Sequence, residues 1–108
     1  MTNHLIAVLL SLQLITMPIA LEHMARNADV DPRLAACIVQ HESGWNTMLV
    51  SRDKDSGLFQ IIPSTATWVA KQMGLTEYDL LDPAQNMEMG LWILKHFPEW
   101  YSTLKFCE

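Results

Sequence analysis

Two aspartate–proline pairs, Asp31-Pro32 and Asp82-Pro83, constrain this 108-residue chain more than any other feature. An aspartate side chain can accept hydrogen bonds from the free N–H groups of a helix's first turn. Proline suits the first helical position because its φ is already helical and its missing N–H has no partner to lose there. Each pair therefore marks a helix start. Stop signals follow at helical distances: Gly44 after the first pair and Pro98 after the second. Between them Pro63-Ser64 breaks an apolar run, so Ser64 or Thr65 is expected to cap a helix through about Met73, which Gly74 closes. The spans are Pro32 to about Ser43, residue 64 to about Met73, and Pro83 to about His96. Residues 46–62 carry no helical period. The fold class is mainly α, with a small irregular or β-like insertion around residues 46–62.

Periodicity places the core. A short helix over residues 21–28 would turn Leu21, Met24, Ala25 and Ala28 inward. The next would bury Leu34, Ala35, Ile38 and Val39, with Cys37 at the edge of that face. Trp68, Val69 and Met73 are expected inward on the third, and Met87, Gly90, Leu91 and Leu94 on the fourth. Trp45, Phe59, Trp68 and Trp92 are core residues by default. The tail from Trp100 to Glu108 can start another helix but is too short to classify. The length allows one domain with one core, and a composition half hydrophobic, with four tryptophans, argues against disorder.

Formal net charge is −5 and Lys and Arg form no run. This leaves nucleic-acid binding without its usual basic surface, and no nucleic-acid partner is expected. Phosphate-binding loops, dinucleotide fingerprints and zinc-protease motifs are absent. Ser43 and His41 lack a placed acid for a nucleophilic triad, and on a helix His41 should point away from Glu42. Cys37 and Cys107 are far apart and not in a zinc-type spacing, so no metal and no cofactor are expected. They are either separate thiols or a bridge tying the tail to the first long helix, which would need an oxidising compartment.

The N-terminal run from Leu5 to Leu21 is almost wholly apolar and short for a membrane span. It reads as the hydrophobic part of a secretory signal over residues 1–20, with Ala20 as a candidate cleavage residue. An uncleaved anchor and a buried first helix are the alternatives. Only the uncleaved form would bring this segment to a membrane.

The candidate chemistry sits at the end of the first long helix. Glycoside cleavage needs an acid to protonate the departing oxygen. Glu42 suits that role if its helix end points into a cleft, where an apolar neighbour such as Trp45 would desolvate it and the helix C-terminus would disfavour its charge. Ser43 can orient that carboxylate or bond its own helix. Gly57 permits a tight turn or a close backbone approach. Gln60 lies inside an apolar run, where its amide must find partners, either sugar or loop backbone. Asp53 and Asp55 are candidates for a second acid, with Asp55 the better placed because it is nearer Gly57. Trp45 and Phe59 are candidate cleft aromatics.

Glu42-Ser43-Gly44-Trp45-Asn46, then Ser51, then Gly57-Leu58-Phe59-Gln60-Ile61-x-Pro63-x-Thr65-Ala66, together resemble the soluble lytic transglycosylase catalytic domain, a member of the lysozyme-like superfamily. Val30-Asp31-Pro32-x-Leu34-x-Ala36-x-Ile38 and Asp82-Pro83-x-x-Asn86-Met87-x-x-Gly90 match as well. The resemblance implies a lysozyme-like helical domain over residues 21–108. It implies an exported, periplasmic or wall-associated lyase acting on bacterial peptidoglycan, without metal. Glu42 would be the catalytic acid and base, cleaving the bond between N-acetylmuramic acid and N-acetylglucosamine to leave a 1,6-anhydromuramyl end. Ser51 and Gln60 match residues that support site and substrate. The spelling Asp55-x-Gly57-x-Phe59-Gln60-Ile61 is closer to small secretion- and conjugation-associated members, which implies such machinery as a partner. It is also closer to animal-type lysozymes, in which the matching aspartate assists hydrolysis. A hydrolase using Glu42 and Asp55 is therefore one alternative, and an inactive glycan- or partner-binding module another. Family members continue into a Tyr-Asn-Ala-Gly segment whose tyrosine contacts the catalytic glutamate. The chain reads as short there, with Tyr101 too early and in another context to take that tyrosine's place.

Overall fold

Helices form where the start and stop signals put them. The computed structural model describes residues 16–107. Most of the N-terminal apolar run, and with it the secretory-signal expectation, lies outside these residues. Helix α1 occupies 16–27, α2 Pro32–Ser43, α3 Pro63–Met73 and α4 Pro83–His96. A 3₁₀ segment, Pro98–Cys107, ends the described chain and departs from helical geometry at Tyr101 and Leu104. Asp31 accepts from the Arg33 N–H at 2.9 Å, and Asp82 from the Gln85 N–H at 2.9 Å. Gly44 closes α2 in the left-handed conformation, φ 58°, its N–H donating to the Gln40 carbonyl at 3.0 Å. Helix α3 begins differently from expectation. Pro63 itself takes the first helical position after Ile62, with no side-chain cap, so Ser64 and Thr65 fall inside the first turn. Among the described residues no helix is long and apolar enough to cross a membrane.

Helix α4 is the centre of the core. It buries Met87, Met89, Gly90, Leu91, Ile93 and Leu94. The same buried cluster holds Leu21 and Ala25 of α1, Ile38 and Val39 of α2, Val69 and Ala70 of α3, and Leu58, Phe59 and Ile61 of the insertion. Trp68 is not inward: it is 43% exposed. The buried stripe of α3 is Ala66, Val69 and Ala70, and a residue one step off that stripe turns about 100° away from it. Trp68 instead lies against the rings of Trp92, Phe97 and Trp100, with centroids 6.0, 5.6 and 6.2 Å away.

The insertion is a loop with two isolated antiparallel bridges, Val50 with Ser56 and Ser56 with Ile61. One side chain holds it. Asn86 of α4 is fully buried. Its Oδ1 accepts from the Phe59 N–H at 2.8 Å, and its Nδ2 donates to the Ser56 carbonyl and to the Leu80 carbonyl, each at 2.8 Å. Gly57, at φ 75°, makes room for this clamp, since a Cβ there would overlap the Asn86 amide and the Leu80 carbonyl. One turn along α4, Gly90 receives the Phe59 ring, which a Cβ would also overlap. The tail is held by a Cys37–Cys107 disulfide, Cα to Cα 5.6 Å, across 70 residues of sequence. The sequence left the state of these cysteines open. A cross-link closing so long a loop stabilises by about 4 kcal/mol in the chain-entropy account.

Replacing the clamp tests its weight. Asn86→Leu strands the buried Phe59 N–H and the Leu80 carbonyl, each costing about 1–3 kcal/mol when left unpaired, while the Ser56 carbonyl keeps the Ile61 N–H. Urea unfolding should show a loss of roughly 3 kcal/mol or more, whereas a clamp of no consequence would leave the midpoint unchanged.

Candidate active site

Glu42 stands on the last turn of α2, one residue before the buried Ser43. Ser43 is consumed by the helix end: its hydroxyl donates to the Val39 carbonyl at 3.0 Å and accepts from the Trp45 N–H at 3.2 Å. It therefore shapes the chain's exit from α2. Trp45 follows at φ 67°, partly buried against the core. His41 faces the other way, exposed, its ring edge-on to Phe106 at 4.5 Å.

The insertion brings Asp55 to the same place. Ser51 closes the Asp55 loop from both sides. Its N–H donates to the Asp55 carbonyl at 2.9 Å, and its hydroxyl accepts from the Asp55 N–H at 3.0 Å. Asp53 is exposed and Asp55 partly buried. Gln60 adopts φ 48°, uncommon for a side chain with a Cβ. Its amide holds that turn by donating to the Gly57 carbonyl at 2.9 Å and the Leu49 carbonyl at 3.0 Å. Both amide protons thus go to loop backbone. Phe59, a candidate cleft aromatic from sequence, is wholly buried over Gly90 and offers a cleft no face. The aromatic beside Gln60 is Trp100, on the 3₁₀ segment.

That segment also supplies a residue the sequence misplaced. Tyr101 packs edge-on against Phe59, centroids 6.1 Å apart, and its hydroxyl donates to the Phe59 carbonyl at 3.1 Å. It lies near enough to Glu42 and Asp55 to feel both charges. Burial first, then Glu42 and Asp55, hold its phenol well above the usual tyrosine range, so it stays a neutral donor. Tyr101, read from sequence as too early and in another context to take the family tyrosine's place, thus lies within reach of both charges. The Cys37–Cys107 bridge, which the sequence left as one of two alternatives, returns the tail to α2 five residues before Glu42.

Glu42 is pushed above the ordinary value of 4.5, first by partial burial and second by the Asp55 charge. The result is a carboxyl that keeps its proton at a pH where a free glutamate has lost it, as a general acid requires. Beside Gln60 and Tyr101 opens a hollow of about 240 Å³, also lined by Ile62, Thr65 and Trp100. A larger apolar hollow of about 390 Å³, lined by Met24, Met73, Leu91 and Trp92, contains none of the expected site residues. Among the described residues, Cys37, His41 and Cys107 have metal-ligand proximity, but both sulfurs are spent in the disulfide.

A family model described as the transglycosylase SLT domain matches residues 20–106. The soluble lytic murein transglycosylase of Salmonella typhimurium is 35% identical over 75 residues, covering 66% of this chain and 12% of that protein. An endo-type membrane-bound lytic murein transglycosylase A from Enterobacter sp. (strain 638) is 39% identical over 88 residues, 74% of this chain and 43% of that protein. Among solved structures, the 70-kDa soluble lytic transglycosylase of Escherichia coli superposes with a TM-score of 0.66 at 29% identity, over 75% of this chain and 14% of that one. The chain thus spans less than half the length of each of these relatives, and the fold it shares with the solved structure is helical and lysozyme-like.

The electrostatics make a signed prediction. Because its folded pKa is raised, Glu42 binds its proton more tightly in the fold than in the unfolded chain. From the ordinary value of 4.5 up to its folded pKa, its contribution to stability falls as pH rises. Asp55→Asn removes one cause and leaves burial. The Glu42 carboxyl, followed by carbon NMR, should then titrate at lower pH than in the parent but still above an ordinary glutamate. An unchanged midpoint would show that the Asp55 charge does not reach it.

Proposed function

The chain belongs to the transglycosylase SLT domain family, and we propose that it is an exported lytic transglycosylase acting on bacterial peptidoglycan. The observation that carries this reading is Glu42: a half-buried carboxyl with a raised pKa beside a second carboxylate and a neutral tyrosine. Protonated Glu42 gives its proton to the glycosidic oxygen between N-acetylmuramic acid and N-acetylglucosamine. The bond from that oxygen to the muramyl C1 breaks, and the substrate's N-acetyl oxygen helps to carry the charge developing at C1. The muramyl C6 hydroxyl then bonds to C1 and returns its proton to Glu42. The products are a free 4-hydroxyl and a 1,6-anhydromuramyl end, with no water consumed. Asp55 keeps Glu42 protonated, and Ser51 fixes the Asp55 backbone.

The nearness of Asp55 also supports a second reading, hydrolysis, in which this carboxylate assists an attacking water. Export is supported by the Cys37–Cys107 bridge, since disulfides persist in oxidising compartments. The assignment of residues 1–20 to a secretory signal rests on the apolar run alone. Service to a secretion or conjugation apparatus rests on the Asp55-x-Gly57-x-Phe59-Gln60-Ile61 spelling.

Purified peptidoglycan is the test substrate, with solubilised fragments read by mass spectrometry. Glu42→Gln should cut release about 100- to 10,000-fold while leaving the thermal midpoint near that of the parent. Asp55→Asn should still yield anhydro ends, with the pH profile shifted toward acid. Full activity in Glu42→Gln would end both enzymatic readings. Ordinary reducing ends from the parent, lost in Asp55→Asn, would establish the hydrolase.

A further inference from the structure

Outside the acid site the most unusual surface is aromatic. Trp68 of α3 and Trp100 of the 3₁₀ segment are 43% and 45% exposed. They stand 6.2 Å apart between ring centroids. Beneath them Phe97 stacks on Trp100 at 4.6 Å, and Trp92 meets Trp68 edge-on at 6.0 Å. Hydrophobic burial explains neither exposed indole, because each leaves much of its surface open although the core already has large side chains. The rings pack against one another, which limits the side-chain freedom that binding would have to remove.

Trp100 belongs to two features at once. It is part of this platform, and it lines the hollow that also touches Gln60 and Tyr101. The lining of the hollow runs from Tyr101, which feels the Glu42 charge, and Gln60 through Thr65 and the half-exposed Ile62 to Trp100, whose ring neighbours Trp68. No Asp, Glu, Lys or Arg lines the hollow. A lining of apolar faces with an occasional hydroxyl or amide suits an uncharged ring that has one C–H face and a polar rim. An N-acetylated sugar ring has that form.

We propose that Trp100 and Trp68 form an outer subsite that holds the non-reacting N-acetylhexosamine rings of a glycan strand whose cleaved bond lies at Glu42. The inference rests on the transglycosylase reading. It adds a reason for strand-length preference: each ring laid on an indole adds binding away from the bond that breaks. It also gives the disulfide a second consequence. The Cys37–Cys107 bridge anchors the segment that carries Trp100 as well as Tyr101.

Binding and turnover separate this inference from its premise. In a Glu42→Gln background, calorimetry would measure affinity for β-1,4-linked N-acetylglucosamine oligomers from the dimer to the hexamer. Affinity should rise with length. Trp100→Ala should weaken the hexamer about fivefold to tenfold while changing the dimer by less than about twofold, and Trp100→Tyr should restore most of the loss. Trp68→Ala, on the regular helix α3, should reduce the length gain without touching the irregular segment, which keeps the test valid if Trp100→Ala folds poorly. Full length dependence in both Trp68→Ala and Trp100→Ala, or no oligomer binding by the Glu42→Gln protein, overturns the subsite. Self-association that both alanine variants abolish, with glycan affinity unchanged, also overturns it and assigns the patch to a second copy of the chain. Release of anhydro fragments by the unmutated protein tests the underlying reading separately and can succeed while the subsite fails.

Discussion

The Asn86 side chain is the interaction on which the site depends. The insertion's own hydrogen bonds close its turns, and none of those described reaches α4. Asn86 supplies what the loop lacks: it binds the backbone at Ser56 and Phe59 and ties both to Leu80. The clamp requires glycine at position 57, and glycine at position 90 lets the Phe59 ring sink onto α4. Once Phe59 is seated, its carbonyl faces Tyr101. The Gln60 amide closes the same turn back onto Leu49. Fold and site are therefore one network, with α4 as the base and α2 as the carrier of the acid.

The state of Glu42 follows from what this network places around it. Partial burial and the Asp55 charge both favour the protonated form. Tyr101 adds a neutral donor and a wall but no charge. The tail could not contribute this by packing alone, since the 3₁₀ segment has no fully buried residue. Its covalent bond to α2 ties the tail to the same helix that carries the acid.

Much of this was legible in the sequence because it depends on local chemistry. Asp31-Pro32, Asp82-Pro83, Gly44 and Gly74 each act on the adjacent turn, and the helices start and stop there. Asp55 was a candidate second acid from its place near Gly57 and from motif resemblance, and its charge is one of the two causes that raise the Glu42 carboxyl. What failed to show was set by distant partners. Asn86 appeared in a motif without a role, because its acceptors are carbonyls 6 and 30 residues away. Tyr101 was set aside because its place depends on a bridge across 70 residues. Phe59 took the core place expected of it by default rather than a cleft face, while Trp68, expected inward, is exposed. Gly90 opened a berth for one, and the other falls off the buried stripe of its helix.

The central claim is that Glu42 alone moves the proton while the substrate's own hydroxyl closes the ring. Digestion of peptidoglycan in water enriched in the heavy oxygen isotope tests this most directly, since only hydrolysis places a solvent oxygen at C1. The account predicts muramyl ends that carry no label and are lighter than reducing ends by one water. One labelled oxygen at each newly cut end would contradict it and make Asp55 part of a hydrolytic pair.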